Sequence, residues 1–162
     1  MSFRITGLSA QPFEHLFGLS EATLAAHGAL RYRGEGLPDR VELRDTTADE
    51  SVLLINYEHQ PADTPYRSRH AIFVREHAGT PFDAVDTVPD ALRRRLLSLR
   101  AFDAAGLMVD ADIADGAAVE SLIERLLAQP EVDYVHAHFA RRGCYAASVS
   151  YTHLTLPTKR IV

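Results

Sequence analysis

The stretch Val52-Leu53-Leu54-Ile55-Asn56-Tyr57-Glu58-His59-Gln60-Pro61-Ala62-Asp63-Thr64-Pro65-Tyr66-Arg67-Ser68-Arg69-His70-Ala71-Ile72-Phe73-Val74-Arg75-Glu76 decides how this chain folds. Val52–Tyr57 and Ala71–Arg75 are apolar on both faces, as strands central to a sheet are. Pro61 and Pro65 lie between them. Proline cannot donate to a sheet ladder and disfavours helix before it, so the link from His59 to Ser68 is expected to be a loop. Polar chemistry is crowded onto that loop and its flanks, where binding residues are often displayed.

The rest of the chain falls around this hairpin. Phe3–Leu8 reads as a first strand, with Phe3 and Ile5 on one face. Pro12–Phe17 suits a short helical turn. Ser20 is a good N-cap for a helix ending at His27, and Gly28 a good stop, because glycine accepts the left-handed conformation that closes helices. Leu30–Arg33 suits a short strand, and Val41–Arg44 alternates like a half-exposed one. Residues 79–89 read as a connecting loop, and Pro89 as opening a helix through Leu92, Leu96 and Leu97. Ser98–Phe102 and Leu107–Ile113 read as a hairpin around Asp103-Ala104-Ala105-Gly106. Asp115 then caps a helix whose Val119, Leu122, Ile123, Leu126 and Leu127 recur at helical spacing. Val132–Phe139 is a strand, Arg141-Arg142-Gly143 a turn, and a last strand starts at Cys144. This order predicts a single α+β domain: a mixed, mostly antiparallel sheet with two or three helices packed on it. The unit from Leu107 to Phe139 offers the one place for a parallel pair.

The 162 residues suffice for one domain with a sizeable core. The formal net charge of −5 argues against a general nucleic-acid binder. No apolar run approaches a membrane span, and no signal pattern opens the chain. The only cysteine is Cys144, so no internal disulfide can form, and a cytoplasmic location is the simplest expectation.

The segment 149–162, VSYTHLTLPTKRIV, resembles the translation of a transposase-type sequencing adapter. The expectation is therefore a native domain over 1–148 followed by a non-native tail. His153 is accordingly left out of any site. The tail is rich in Val, Tyr and Thr and is able to prolong the last strand.

His136 and His138 are two apart on a predicted strand and share a face with Tyr134, while Val135, Ala137 and Phe139 point the other way. Two imidazoles at this spacing bind a divalent metal if a third ligand converges, the candidates being His59, His70, Asp110 and Asp112. Without an extended metal-binding motif, the expectation is a polar sheet face and no metal. Tyr66, Arg67, Arg69 and His70 make a compact donor set that suits a carboxylate or phosphate. The alternative is that an arginine pairs with Glu58 or Asp63 to hold the loop. Cys144 follows two arginines, which favours a reactive thiol and makes a cysteine–histidine pair conceivable. The plainer alternative is a small buried strand residue. Arg93, Arg94 and Arg95 spread around a helix and read as a solvated face, as do Asp110 and Asp112 on their strand.

The strings Phe3-Arg4-Ile5-Thr6-Gly7-Leu8, Leu54 to His59, Pro65-Tyr66-Arg67-Ser68, Ile72 to Glu76, Leu99 to Asp103, His136-Ala137-His138 and Arg142 to Ala147 together resemble the bacterial domain of unknown function 1203 family. The resemblance covers about 2–148 and implies no activity. The chain departs from the family pattern near Asp39, where cysteine is expected, and near Phe139, where a small polar residue is expected.

The functional expectation is a shallow site for a small anionic ligand, formed by the 57–70 loop and the 134–144 hairpin. Tyr57, Tyr66, Arg67, Arg69, His70, Arg142 and Cys144 would bind it, and His59, His136 and His138 would exchange protons. The rival is a non-catalytic module that docks a protein partner through the same loop. No cofactor is identifiable, and neither substrate nor oligomeric state is legible.

Overall fold

The computed structural model describes residues 2–152. Among these, strands β1 (Phe3–Thr6), β5 (Asp83–Val85), β6 (Leu96–Phe102), β7 (Met108–Asp115), β8 (Tyr134–Phe139) and β9 (Tyr145–Tyr151) form one sheet in the order β5-β1-β9-β8-β6-β7. Strands β2 (Leu30–Arg33), β3 (Ser51–Gln60) and β4 (Ser68–Arg75) form a second, with β3 in its centre. Every neighbouring pair is antiparallel. With helices α1 (Glu21–Ala26), α2 (Asp90–Arg93) and α3 (Glu120–Leu127), this is the expected α+β class.

Several local expectations hold for the stated reasons. The Ser20 hydroxyl accepts from the Thr23 amide at 3.1 Å, and Gly28 closes α1 at a φ of 75°. Leu122, Ile123, Leu126 and Leu127 of α3 are all buried against one face of the large sheet, where β6 presents Leu97, Leu99 and Ala101 and β8 presents Val135, Ala137 and Phe139. Each such large side chain contributes roughly 1.5–3 kcal/mol on burial.

Other expectations are corrected. The 107–139 unit makes no parallel pair, because β8 inserts on the far side of β6 from β7 and both lie antiparallel to it. The helix opened by Pro89 stops at Arg93, and Leu96 and Leu97 begin β6 instead. Alternation wins there: Leu97, Leu99 and Ala101 all face the core. The 79–89 loop contains β5, and β4 is an edge strand rather than a central one. Val41–Arg44 forms no strand, since Leu43 adopts a φ of 54°. Its backbone is shared between the two sheets: the Arg40 amide donates to Phe73, while the Arg40 and Val41 carbonyls accept from Leu8 and Phe82. Gly7 is required opposite, because a Cβ there would meet the Val41 carbonyl oxygen. The buried Asp39 carboxylate pins this connection by accepting from the Glu42 and Arg75 amides at 2.7 and 2.8 Å.

Val149, Ser150 and Tyr151 continue β9 and pair with β1, so that strand crosses the boundary drawn at 148. His153 and the rest of the adapter-like segment lie outside the described residues.

Candidate functional site

The face of β8 turned away from α3 carries Tyr134, His136 and His138. Both histidines are buried, at 7 % and 1 % exposure, because the second sheet covers this face. Two β-bulges deliver their neighbours. In β9 the register shifts between the partners of Ala137 and His138, so that Tyr145 lies opposite His138 while Ser148 lies opposite His136. In β3 it shifts between Tyr57, opposite His70, and Gln60, opposite Ser68. Alternation from Leu53, Ile55 and Tyr57 turns His59 inward and leaves Glu58 on the outer side, and the extra residue brings Gln60 inward beside His59. A bulge re-aims side chains in this way.

The result is a histidine cluster. Ring centroids lie 5.0 Å apart for His59 and His138, 6.3 Å for His59 and His136, and 5.4 Å for His59 and His70. The candidate ligand nitrogens of His59, His136 and His138 all lie within 4.8 Å of one another. Tyr145 stacks on His59 at 5.4 Å and meets His136 and His138 edge-on. Gln60 donates to the Tyr134 hydroxyl at 3.0 Å and ties the end of β3 to β8.

His59, His136 and His138 are neutral near pH 7. Burial, reinforced by neighbouring histidines and Arg100, lowers His59 and His136 to about 4 and His138 to about 3. The His138 Nδ1 lies 2.9 Å from the Gly143 carbonyl oxygen. A carbonyl only accepts, so Nδ1 carries the proton and Nε2 keeps its lone pair. Among the described residues, five buried side-chain nitrogens lack a hydrogen-bond partner, and four of them belong to His59, His70 and His136. Such a concentration of unsatisfied groups in one place calls for a functional explanation. Burial also pushes the Tyr57 and Tyr145 phenols up, so both keep their protons.

The expected site residues divide. Tyr57, His59, His70, His136 and His138 converge. Arg67 and Arg69 lie outside the bulge, where Arg67 donates to Glu58 at 2.7 Å and Arg69 donates to Asn56 at 2.5 Å. Tyr66 is 40 % exposed and meets Phe102 edge-on. Arg142 and Cys144 line a separate cleft, in which the Cys144 sulfur accepts from Arg40 at 3.0 Å. Asp110 and Asp112 bond to Gln129 and Arg125 and cap amides of their own edge strand. They offer nothing to the histidines. The three consecutive arginines are ion-paired as well as partly solvated: Arg93 pairs with Glu120, Arg94 with Asp90 in an exposed pair, and Arg95 with Asp45.

Two site residues escaped the sequence reading. Arg100 lies directly across from His136 in the β6–β8 register, and among the described residues it has no carboxylate partner. The alternation of Leu97, Leu99 and Ala101 with Ser98, Arg100 and Phe102 was the available signal. Tyr145 is aimed by a bulge that leaves no trace in composition.

No curated protein and no solved structure matches the chain. A family model described as a protein of unknown function, DUF1203, matches residues 36–150. The match takes in every member of the histidine cluster together with Arg100 and Tyr145, and it makes this chain a member of the DUF1203 family.

Proposed function

We propose that His59, His136 and His138 form a divalent-metal centre of the zinc class, with one coordination position left for a small anionic ligand. The observation that carries this is three buried, neutral imidazoles whose nitrogens converge within 4.8 Å. Metal ligation needs neutral imidazole, and burial has already removed the competing proton. The His138 Nδ1–H bond to the Gly143 carbonyl is the kind of outer contact that orients a ligating ring. Three nitrogen ligands fall one short of tetrahedral zinc, and that open position is the mark of reactive rather than structural sites. The three imidazoles bring no negative charge, and Arg100 adds a positive one nearby. An anion therefore completes the site. Arg100 takes the anchoring role expected of Arg67 and Arg69, and His70 stands beside the three as a proton carrier or fourth ligand.

The test is zinc titration of the full chain by calorimetry, with cobalt as a spectroscopic probe of coordination. One equivalent should bind, and His59→Ala, His136→Ala and His138→Ala should each weaken it at least tenfold. His15→Ala with His27→Ala, a surface histidine pair 6.0 Å apart, should not. Because protons compete only near the folded values of about 3 to 4, zinc affinity should change less than threefold between pH 8 and 6. Binding that follows His15 and His27, or falls steeply below pH 7, would sink the proposal.

A further inference from the structure

The turn at 140–143 separates two sites. On one side its Gly143 carbonyl holds His138. On the other, Arg141, Arg142 and Cys144 line a cleft of about 720 Å³ between the outer face of the small sheet and the ends of α2 and β8. That volume lies within the range of small-molecule pockets.

The two walls differ in character. One is apolar: Tyr32, Leu54 and Phe73 share the outer face of the β2-β3-β4 sheet, with Tyr32 set edge-on to Phe73 at 5.6 Å. Tyr32 is 42 % exposed although it is a large aromatic on a strand. The other wall is cationic: five arginines line the cleft against one carboxylate, Asp115. Asp45 offsets Arg95 and Asp90 offsets Arg94. Arg141 and Arg142 have no carboxylate partner among the described residues. At the floor lies Arg40, 1 % exposed and the largest fully buried side chain. Its guanidinium stacks on Phe139 and donates to the Tyr145 and Pro38 carbonyls and to the Cys144 sulfur, and burial lowers it to about 10. A charge retained at such a depth, with no carboxylate bonded to it, places a fixed positive field beneath Arg141 and Arg142.

We infer that this cleft binds a small organic anion, a carboxylate or phosphate monoester carried on a flat apolar body. The body lies on Tyr32, Leu54 and Phe73, and the headgroup is gripped by Arg141 and Arg142. Arginine forks suit both headgroups. The site is independent of the histidine cluster, since no histidine lines it.

The experiment is calorimetric and amide-NMR titration of the metal-free full chain with phenyl phosphate, benzoate, inorganic phosphate and benzyl alcohol. Either aromatic anion should saturate the protein below about 1 mM, shifting the amides of Gly36, Leu96 and Cys144. The tighter of the two identifies the headgroup. Arg141→Ala with Arg142→Ala should weaken binding at least tenfold and Tyr32→Ala severalfold, whereas His136→Ala and Arg67→Ala should leave it unchanged. No saturation by either aromatic anion would overturn the inference. So would benzyl alcohol or inorganic phosphate binding as tightly as phenyl phosphate.

Discussion

The inner and outer faces of the β3–β4 hairpin carry residues drawn from the same short stretch of sequence, and they are built on opposite principles. Outside, each charge has a partner: Arg67 pairs with Glu58, Arg69 donates to the Asn56 amide oxygen, and further along Arg75 and Arg44 pair with Glu42 and Glu50. Inside, His59 and His70 bury ring nitrogens that have no hydrogen-bond partner and lie against His138 and, for His59, His136 and Tyr145. The alternation of β3 and β4 sorts them. A cluster of polar letters in a sequence is thus no site by itself. The residues left without internal partners after folding are the ones available for something else.

The largest effect that would test this contrast is acid sensitivity. An ordinary histidine titrates near 6.5, and these fold at about 4, 4 and 3. Between those limits the unfolded chain binds more protons than the folded one. Stability contributed by the neutral cluster is therefore full above the unfolded value and is lost as the pH falls toward the folded ones. Each histidine contributes a slope of about 1.4 kcal/mol per pH unit, so three together give roughly 4 kcal/mol per unit. Urea unfolding of chelator-treated protein at pH 7.5, 6.0 and 5.0 should show this fall, and His136→Asn should reduce the slope by about a third. Stability that is flat across this range would mean that the inner face is not neutral and dry.

A smaller effect belongs to Glu76, where a buried charge is fully partnered. Its carboxylate accepts from Arg31, Ser51 and the Gly18 amide, and the Arg31 guanidinium holds it down at about 2. Its contribution is present above the ordinary carboxyl value and disappears only as the pH falls toward the folded one, well below the histidine window. Glu76→Gln leaves Arg31 half-buried and short of its main counter-charge. The expected cost is roughly 3 kcal/mol in urea unfolding at pH 7. A cost below about 1 kcal/mol would class this pair with the exposed ones.

Much of this architecture was legible in the residues. Two prolines between apolar runs marked the hairpin, Ser20 and Gly28 bounded α1, and the apolar face of α3 and the alternation in β8 were visible as periodicities. What remained hidden depends on long-range register. Leu92 and Leu96 suit a helix as well as Leu97, Leu99 and Ala101 suit a strand, and only pairing with β7 and β8 decides between them. That β8 lies beside β6 and β9, under the second sheet, brings His59 to His136 from 77 residues away. His59 could be named among four candidates for a third ligand, but only the packing of β3 over β8 brings it to His136 and His138. Arg40 was invisible for a related reason: nothing local distinguishes an arginine that is to be buried from one that stays in water.

The smallest effect belongs to Arg67 on the outer face. Arg67 is 58 % exposed at its side chain, and its ion pair with Glu58 at 2.7 Å sits in water, where screening and side-chain entropy offset most of the attraction. Arg67→Ala should change stability by less than about 0.5 kcal/mol. Zinc affinity should also be unchanged, because the outer face makes no contact with the histidines. If Arg67→Ala weakens zinc binding, Glu58 is holding the segment of β3 that carries His59, and the two faces act as one device. A Glu58→Ala and Arg67→Ala double-mutant cycle read out on zinc affinity separates these cases, since coupling through that segment gives a non-additive loss and independent faces give none.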